Sequence, residues 1–378
     1  MTVMAELELP AYTGLTWDHP RGYNALARAA VDAKGLTLQW DRHSLEGFES
    51  APIGELCDRY DLVVLDHPHV GEAIAADCLI PVEELFGADE IAAWQDAIAG
   101  PSLASYHYAG KHWALPLDAA TQVMAWRADR IVEAPTTWAE LPKLAEGRAV
   151  ALSLAGPHAI LSFQSICGAL GAEHANPRDH FMDRATAREA FAIMQALTGD
   201  ATRAAVAMNP IAMLDAMAAG EGPDLVPLIY GYVNYATRGV RFGDAPRGPT
   251  GRIGSILGGT GIGVSRRCKV TPALLDHIRL LMSESVQRGF IPFQDGQPAF
   301  RSAWHDPAVN GATGKFFADT LQSIEQAQLR PRHNGAIAFQ TEASTLLRAA
   351  LIDGGDAGST LDAIERSYRD HHPAGAET

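Results

Sequence analysis

Asp66-His67-Pro68-His69 places one carboxylate and two imidazoles within four residues. That set could hold a divalent cation, and Asp18-His19 and His305-Asp306 could add ligands to it. A metal-dependent hydrolase or lyase built on Asp66, His67 and His69 is therefore one reading. The run also follows Asp61–Asp66 (DLVVLD), a continuous apolar stretch of the buried-strand type. Polar groups just beyond the carboxyl end of such a strand are where α/β sheets bind small molecules. The sequence favours this second reading over the metal site and over a merely solvated loop.

Other chemistry is less specified. Trp17, Trp113, Tyr230, Tyr232, Tyr235 and Trp304 fall in or beside loop segments, and rings of this kind can stack on a sugar or settle into a core. Gly258–Gly263 reads GGTGIG, but counting from Gly259 the sixth position is Val264, so the dinucleotide spacing fails. Neither a GxSxG nucleophile elbow nor an HExxH helix occurs. Cys57, Cys78, Cys167 and Cys268 are far apart with no CxxC pair, which predicts buried thiols and no cofactor or metal held by cysteine.

The elements that must carry these residues belong to an α/β chain. The length of 378 residues suggests two or three domains, and 47% hydrophobic with 20% charged residues is ordinary for a folded globular protein. The net charge of -15 repels phosphate backbones and anionic lipid, so nucleic acid and membrane surfaces are poor partners. No apolar run approaches the ~20 residues of a membrane helix. Met1–Pro10 (MTVMAELELP) has neither the basic nor the apolar region of a secretory leader.

Along the chain, Leu15–Trp17, 36–42 and Asp61–Asp66 read as strands, with helices from about Leu26 and over Ala73–Cys78. Tyr106–Leu115 reads as a hairpin turning at Ala109-Gly110, and Gln122–Arg127 as a strand. Thr137 to Glu140 is a capping box. Val150–Leu154 reads as a strand, and His158–Leu170 and Ala185–Leu197 as helices. Asn209-Pro210 opens a helix that Gly220 closes. Leu225–Tyr235 reads as strand then loop, and the glycine-rich Gly243–Gly263 as a punctuated stretch rather than an ordinary strand. One helix runs from Thr271-Pro272 to about Arg288, and most of the rest from Ala312 is helical.

Three ordered stretches resemble the bacterial extracellular solute-binding proteins of family 1, the maltose-binding type of ABC-transporter receptor. Tyr108-Ala109-Gly110-Lys111-His112-Trp113-Ala114-Leu115-Pro116 is similar to that family's Y-x-G-K-x-x-A-x-P hairpin. Gly258-Gly259-Thr260-Gly261-Ile262-Gly263-Val264-Ser265 is similar to its G-G-x-x-x-x-I-S return strand. Leu281-Met282-Ser283-Glu284-Ser285-Val286-Gln287 is close to its L-x-S-P-E-x-Q helix.

The resemblance implies a two-lobed, type II periplasmic-binding-protein-like α/β fold with a ligand cleft between discontinuous lobes. The lobes would be residues 1–116 with 259–308, and 117–258 with 309–378. Crossings are expected near Leu115–Ala119, Ser255–Gly259 and Trp304–Ala312. The implied function is a receptor, not an enzyme. It would bind a small polar metabolite, carbohydrate by default, by hinge closure, act as a monomer without a cofactor, and deliver the ligand to an ABC permease. Carried over by position, the ligand-binding residues are Trp17, Asp18, His19, Arg21, Asp66, His67, Asp118, Gln122, Tyr230, Tyr232, Asn234, Gly259, Thr260, Arg301 and Trp304. If Arg21 and Arg301 instead clamp a carboxylate, the ligand is an organic acid. The family works in the periplasm. The N-terminus as written points to the cytoplasm, which keeps open a cytoplasmic metabolite sensor of the same fold.

Overall fold

The computed structural model describes residues 9–172 and 180–372; the leader reading, as far as it falls on residues 1–8, lies outside them. Nine strands are present among the described residues: β1 (Ala11–Trp17), β2 (Thr37–His43), β3 (Leu62–Leu65), β4 (His107–Tyr108), β5 (Lys111–His112), β6 (Leu115–Arg127), β7 (Leu225–Tyr230), β8 (Val240–Gly243) and β9 (Leu257–Val264). The main sheet has the order β2-β1-β3-β9-β6-β7, with β8 also paired to β6. β1 runs parallel to β2 and β3, whereas β9 is antiparallel to both β3 and β6.

β6 organises the molecule. It is 13 residues long and almost wholly buried. Its first half, from Leu115 to Thr121, pairs with β9. Its second half, from Gln122 to Arg127, pairs with β7 and β8. The expected strand Gln122–Arg127 is thus the far end of one longer strand, bent by an irregularity between Pro116 and Asp118.

Helices pack on both sides. α1 (Pro20–Val31) opens with Pro20 in its first turn, and the His19 ring accepts from the Arg21 amide at 3.2 Å. α2 (Leu45–Ser50) and α3 (Ile53–Arg59) connect β2 to β3, and α4 (Val70–Ala75) follows the Asp66 turn. The helix Pro210–Ala219 is capped by Asn209 and closed by Gly220 in the left-handed region, as its sequence predicts. The β4–β5 hairpin turns at Ala109 and Gly110, both with positive φ (51° and 77°).

Three local expectations are corrected. Gly243–Gly263 is not merely punctuated, because its end, Leu257–Val264, is a central strand. Glycine disfavours strands, but β3 and β6 pair with β9 on either side. The Tyr230 and Tyr106 rings lie where Cβ atoms of Gly258 and Gly261 would stand, at 2.5 and 2.6 Å. Val150–Leu154 forms no ladder. It makes a single bridge from Val150 to Leu225, and Leu152 donates its amide to the Thr202 hydroxyl at 3.0 Å instead of to a strand.

The helix expected over 272–288 is two helices, Pro272–Leu281 and Glu284–Gly289. The Ser283 hydroxyl caps the second by accepting from the Val286 amide at 3.3 Å. Trp304–Ala312, expected as the third crossing, is helical over Arg301–His305 and Pro307–Ala312. The late extended passage is 327–332, where Gln328 bridges Ile256. No described helix is long and apolar enough to cross a membrane.

Candidate functional site

A small cavity of about 50 Å³ opens where the ends of β1, β3 and β7 meet β9. Trp17 and Arg21 reach it from the β1–α1 junction, and Phe48 and Glu49 from α2. Asp66 enters from the end of β3, Tyr230 and Tyr232 from the end of β7, and Gly258, Gly259 and Thr260 from β9. His158, at the start of the helix His158–Ala169, faces them, and Arg330 and Gln340 also line the cavity. The volume admits only a few water molecules, each needing roughly 10–15 Å³, so a larger ligand requires these elements to separate.

Two buried arginine–carboxylate pairs form the polar side. Arg21 donates from Nε to Asp118 Oδ2 at 2.8 Å, from Nη2 to Asp118 Oδ1, and from Nη1 to the Gly231 carbonyl at 3.0 Å. Burial opposes the Arg21 charge, but the Asp118 carboxylate outweighs it and the guanidinium pKa is raised. The same guanidinium lies 4.9 Å from the Tyr232 ring centroid and 5.5 Å from that of Trp17, within cation–π range. His19 stacks on Trp17 at 5.2 Å and meets Tyr232 edge-on at 5.0 Å. Burial, with the Arg21 charge beside it, lowers the His19 pKa to about 4. His19 therefore braces the aromatic pair as a neutral ring.

Arg330 makes the second pair. Its Nη2 donates to both oxygens of Asp66, and its backbone amide donates to His67 Nε2 at 3.3 Å. Burial pushes the Asp66 carboxyl up, but Arg330 overrides it and holds the group below the usual carboxylate range. Burial and Arg330 bring His67 to about 4. Because Nε2 of this neutral imidazole accepts, the ring proton sits on Nδ1, 3.2 Å from Asp66 Oδ1.

That network also removes the metal reading. Both nitrogens of His67 are committed, Asp66 is tied to Arg330, and His69 Nδ1 lies 3.7 Å from Glu72 Oε2. Among the described residues no group of three histidine, cysteine or acidic side chains could hold a metal ion.

The residues named from sequence divide. Trp17, Arg21, Asp66, Tyr230, Tyr232, Gly259 and Thr260 line the cavity. His19, His67 and Asp118 stand behind it and hold lining residues in place. Asp18 points outward to Arg42 at 2.9 Å. Gln122 is wholly buried, accepting from the Ser165 hydroxyl at 2.6 Å, so it braces the helix beneath the cavity. Asn234 bonds the Asp295 carbonyl at 3.4 Å, outside the lining. Arg301 pairs with Glu325 at 2.6 Å, and the buried Trp304 donates to the Pro298 carbonyl at 2.9 Å, both away from the cavity. They belong to the short helices Arg301–His305 and Pro307–Ala312.

Sequence reasoning missed Phe48, Glu49, His158, Gly258, Arg330 and Gln340. Glu49 and His158 approach within 3.5 Å from opposite sides of the cavity. Two signals were available. Arg330 precedes Pro331, which favours extended backbone. Gly156-Pro157-His158 reads as a loop entering a helix.

No family model matches the chain, and no curated protein matches it. Solved structures do. Maltose-bound MalE3 of T. maritima aligns with a TM-score of 0.77 at 16% identity, over 95% of this chain and 99% of that one. The chain has the two-lobed fold of periplasmic binding proteins. The sugar-binding protein MalE from the phytopathogen Xanthomonas citri gives a TM-score of 0.76 at 15% identity, over 96% of this chain and 97% of that one. An ABC transporter solute-binding protein from Agrobacterium radiobacter K84, in complex with ribitol, gives 0.76 at 18% identity, over 96% and 99%. Within this fold, β6 and β9 are the strands shared by the two halves of the sheet.

Proposed function

We propose that the protein is a receptor that binds a small neutral carbohydrate or polyol between its two lobes and delivers it to an ABC-type permease. The lobes are residues 1–116 with 259–308, and 117–258 with 309–378. They pivot about β6, β9 and the passage 304–312. No bond is made or broken in this function. Binding is by hinge closure, which brings Glu49 and His158 together over the ligand.

The observation that carries the reading is the pairing of Arg21 with a protein carboxylate. All three of its donor nitrogens have acceptors, two on Asp118 and one on Gly231. Arg330 is likewise tied to Asp66. Arg301, the other half of the suggested carboxylate clamp, is paired elsewhere. An anionic ligand would therefore have to share arginines already neutralised by buried carboxylates, whereas hydroxyl groups can bond Glu49 and the remaining lone pairs of Asp66. The Trp17, Phe48, Tyr230 and Tyr232 rings offer apolar surface for a sugar face. The solved structures of this fold named above as bound to maltose and ribitol support the same ligand class.

A thermal-shift panel of monosaccharides, maltose, alditols, dicarboxylates and amino acids tests the proposal. A ligand present at 100 times its Kd adds about 2.7 kcal/mol of stability. A clear shift with a neutral polyhydroxylated compound is expected. Stabilisation by none of the sugars or alditols, in protein refolded from denaturant, would overturn it.

A further inference from the structure

His333 follows the extended segment 327–332 and sits where the start of the helix Ala336–Asp353 meets the end of the helix Ala357–Asp370. It is 3% exposed, and neither ring nitrogen has a hydrogen-bond partner among the described residues. Its ring stacks on His372 at 4.1 Å and 23°, and meets Tyr368 edge-on at 5.7 Å. Tyr368 in turn packs on Phe339 at 5.0 Å, so the stack rests on the edge of an apolar core. The backbones are as close as the rings. A Cβ on Gly335, whose φ is +110°, would lie 2.1 Å from the His371 carbonyl oxygen. On the other side the chain rests on α4, since a Cβ on Gly71 would lie 2.1 Å from the Arg332 carbonyl oxygen.

The titratable groups around this ring are engaged elsewhere. Tyr368, His371 and His372 come from the helix Ala357–Asp370 and the turn after it, and His371 Nδ1 donates to the Ser367 carbonyl at 2.9 Å. Glu342 and Glu72 line one groove with His333. Glu342 Oε2 accepts the Ser367 hydroxyl at 2.8 Å and lies 3.5 Å from His371 Nδ1. Glu72, on α4, accepts the Ile53 amide at 3.1 Å. The neighbouring Arg332 spends its guanidinium on the Ala104 and His107 carbonyls at 2.9 and 2.8 Å. We propose that the His333–His372 stack is an acid-sensitive clasp, and that protonation of His333 releases the last turn of the helix Ala357–Asp370 from the segment 332–335. Uncharged imidazoles stack without penalty, whereas a charge on His333 would be buried against a second imidazole with no carboxylate bonded to it.

The sign follows from burial. Burial, with His372 and His371 beside the ring, brings the His333 pKa to about 4 from an ordinary 6.5. The released form therefore takes up the proton first. Release is disfavoured above pH 6.5 and becomes easier as the pH falls toward 4. Arg332 and the contact with Gly71 keep the segment 332–335 anchored, so the part that moves is the helix end. The inference does not depend on the identity of the ligand.

The test is amide hydrogen exchange on the full chain at pH 7 and pH 5, each rate divided by the intrinsic rate of an unstructured amide at that pH. Protection over 366–372 should fall roughly 20-fold, the ratio set by titration at about 4 in the clasped form and 6.5 in the released one. Protection over the helix His158–Ala169 should hold. His333→Phe keeps a ring in the stack that cannot take a proton, and it should abolish the acid response. His333→Gln serves the same purpose if the phenyl variant does not fold. Protection of 366–372 that is absent at pH 7, unchanged at pH 5, lost together with that of the whole molecule, or lost equally in the variant would overturn the inference.

Discussion

Arg330 donates through Nη2 to both carboxylate oxygens of Asp66, across 264 residues of chain. The pair is almost completely buried, with side-chain exposures of 4% and 13%. It joins the extended segment 327–332 to the end of β3 and so fixes one wall of the cavity. Removing one member of a buried pair strands the other charge, at a cost of about 3–5 kcal/mol. Asp66→Ala is therefore expected to lower stability by that order as well as to weaken binding. Urea unfolding of Asp66→Asn, Arg330→Gln and the double variant checks this. The double variant should be less destabilised than the sum of the singles; additivity would show that the two side chains are not coupled.

The same network sets an acid response. The folded-state pKa of His67 is depressed to about 4 from an ordinary 6.5, so between those values the unfolded chain binds more protons than the folded one. Stability therefore rises with pH across that window and falls on acidification from about 6.5 toward 4, by at most about 3 kcal/mol for this one ring. Asp66, whose folded pKa is also depressed, adds a further loss once the pH drops below the unfolded carboxylate value near ~3.9. His19 contributes in the same direction as His67. Unfolding free energies measured from pH 7.5 to 4 should show the decline, and His67→Gln should show a shallower one.

Glu49 separates binding from stability. Its side chain is partly exposed, and its contact with His158 is a loose 3.5 Å. Glu49→Gln should leave the melting temperature nearly unchanged and weaken ligand binding by about 1.5–3 kcal/mol, the range of a hydrogen bond to a charged group. Calorimetric titration reads this directly, and unchanged affinity would remove Glu49 from the site.

Gly259 cannot accept a side chain. Its φ is +91°, and a Cβ would lie 2.4 Å from the Asp118 carbonyl oxygen. Gly259→Ala should cost at least ~1–3 kcal/mol and disturb the Arg21–Asp118 pair beside it. Loss of stability together with loss of binding is expected, measured by thermal unfolding and titration of the same preparation.

Arg301 provides the contrast. It was attractive in sequence as one arm of a carboxylate clamp, but its guanidinium is spent on Glu325 and the Asp96 carbonyl. Arg301→Ala should leave ligand affinity unchanged and cost no more than about 1 kcal/mol, as for an exposed ion pair.

These cases mark what the sequence could and could not disclose. The α/β order, the hairpin at Ala109-Gly110 and the Asn209–Gly220 helix were legible because caps, turn residues and periodicity are local signals. Trp17, Asp66, Tyr230 and Tyr232 were legible because they stand at strand ends. Composition alone obscured β9, because its strand character comes from pairing on both sides and from the rings of Tyr106 and Tyr230, none of which is local; the resemblance of Gly258–Ser265 to a return strand pointed to it. Arg330 was hidden for the same reason: its partner is fixed by tertiary packing, and nothing near position 330 names it. His67 carried the right residue type for a metal, but its two nitrogens are spent on a backbone amide and on Asp66.

The central claim is that a charge-balanced cleft selects a neutral polyhydroxylated ligand. The most direct measurement is calorimetric titration with a matched pair, an alditol or aldose that stabilises the protein and the aldonic acid of the same carbon chain. Neutralisation of both buried arginines by carboxylates predicts that the neutral compound binds at least ~10-fold more tightly, a difference of about 1.4 kcal/mol. Tighter binding of the acid, or binding of the acid alone, would contradict the account.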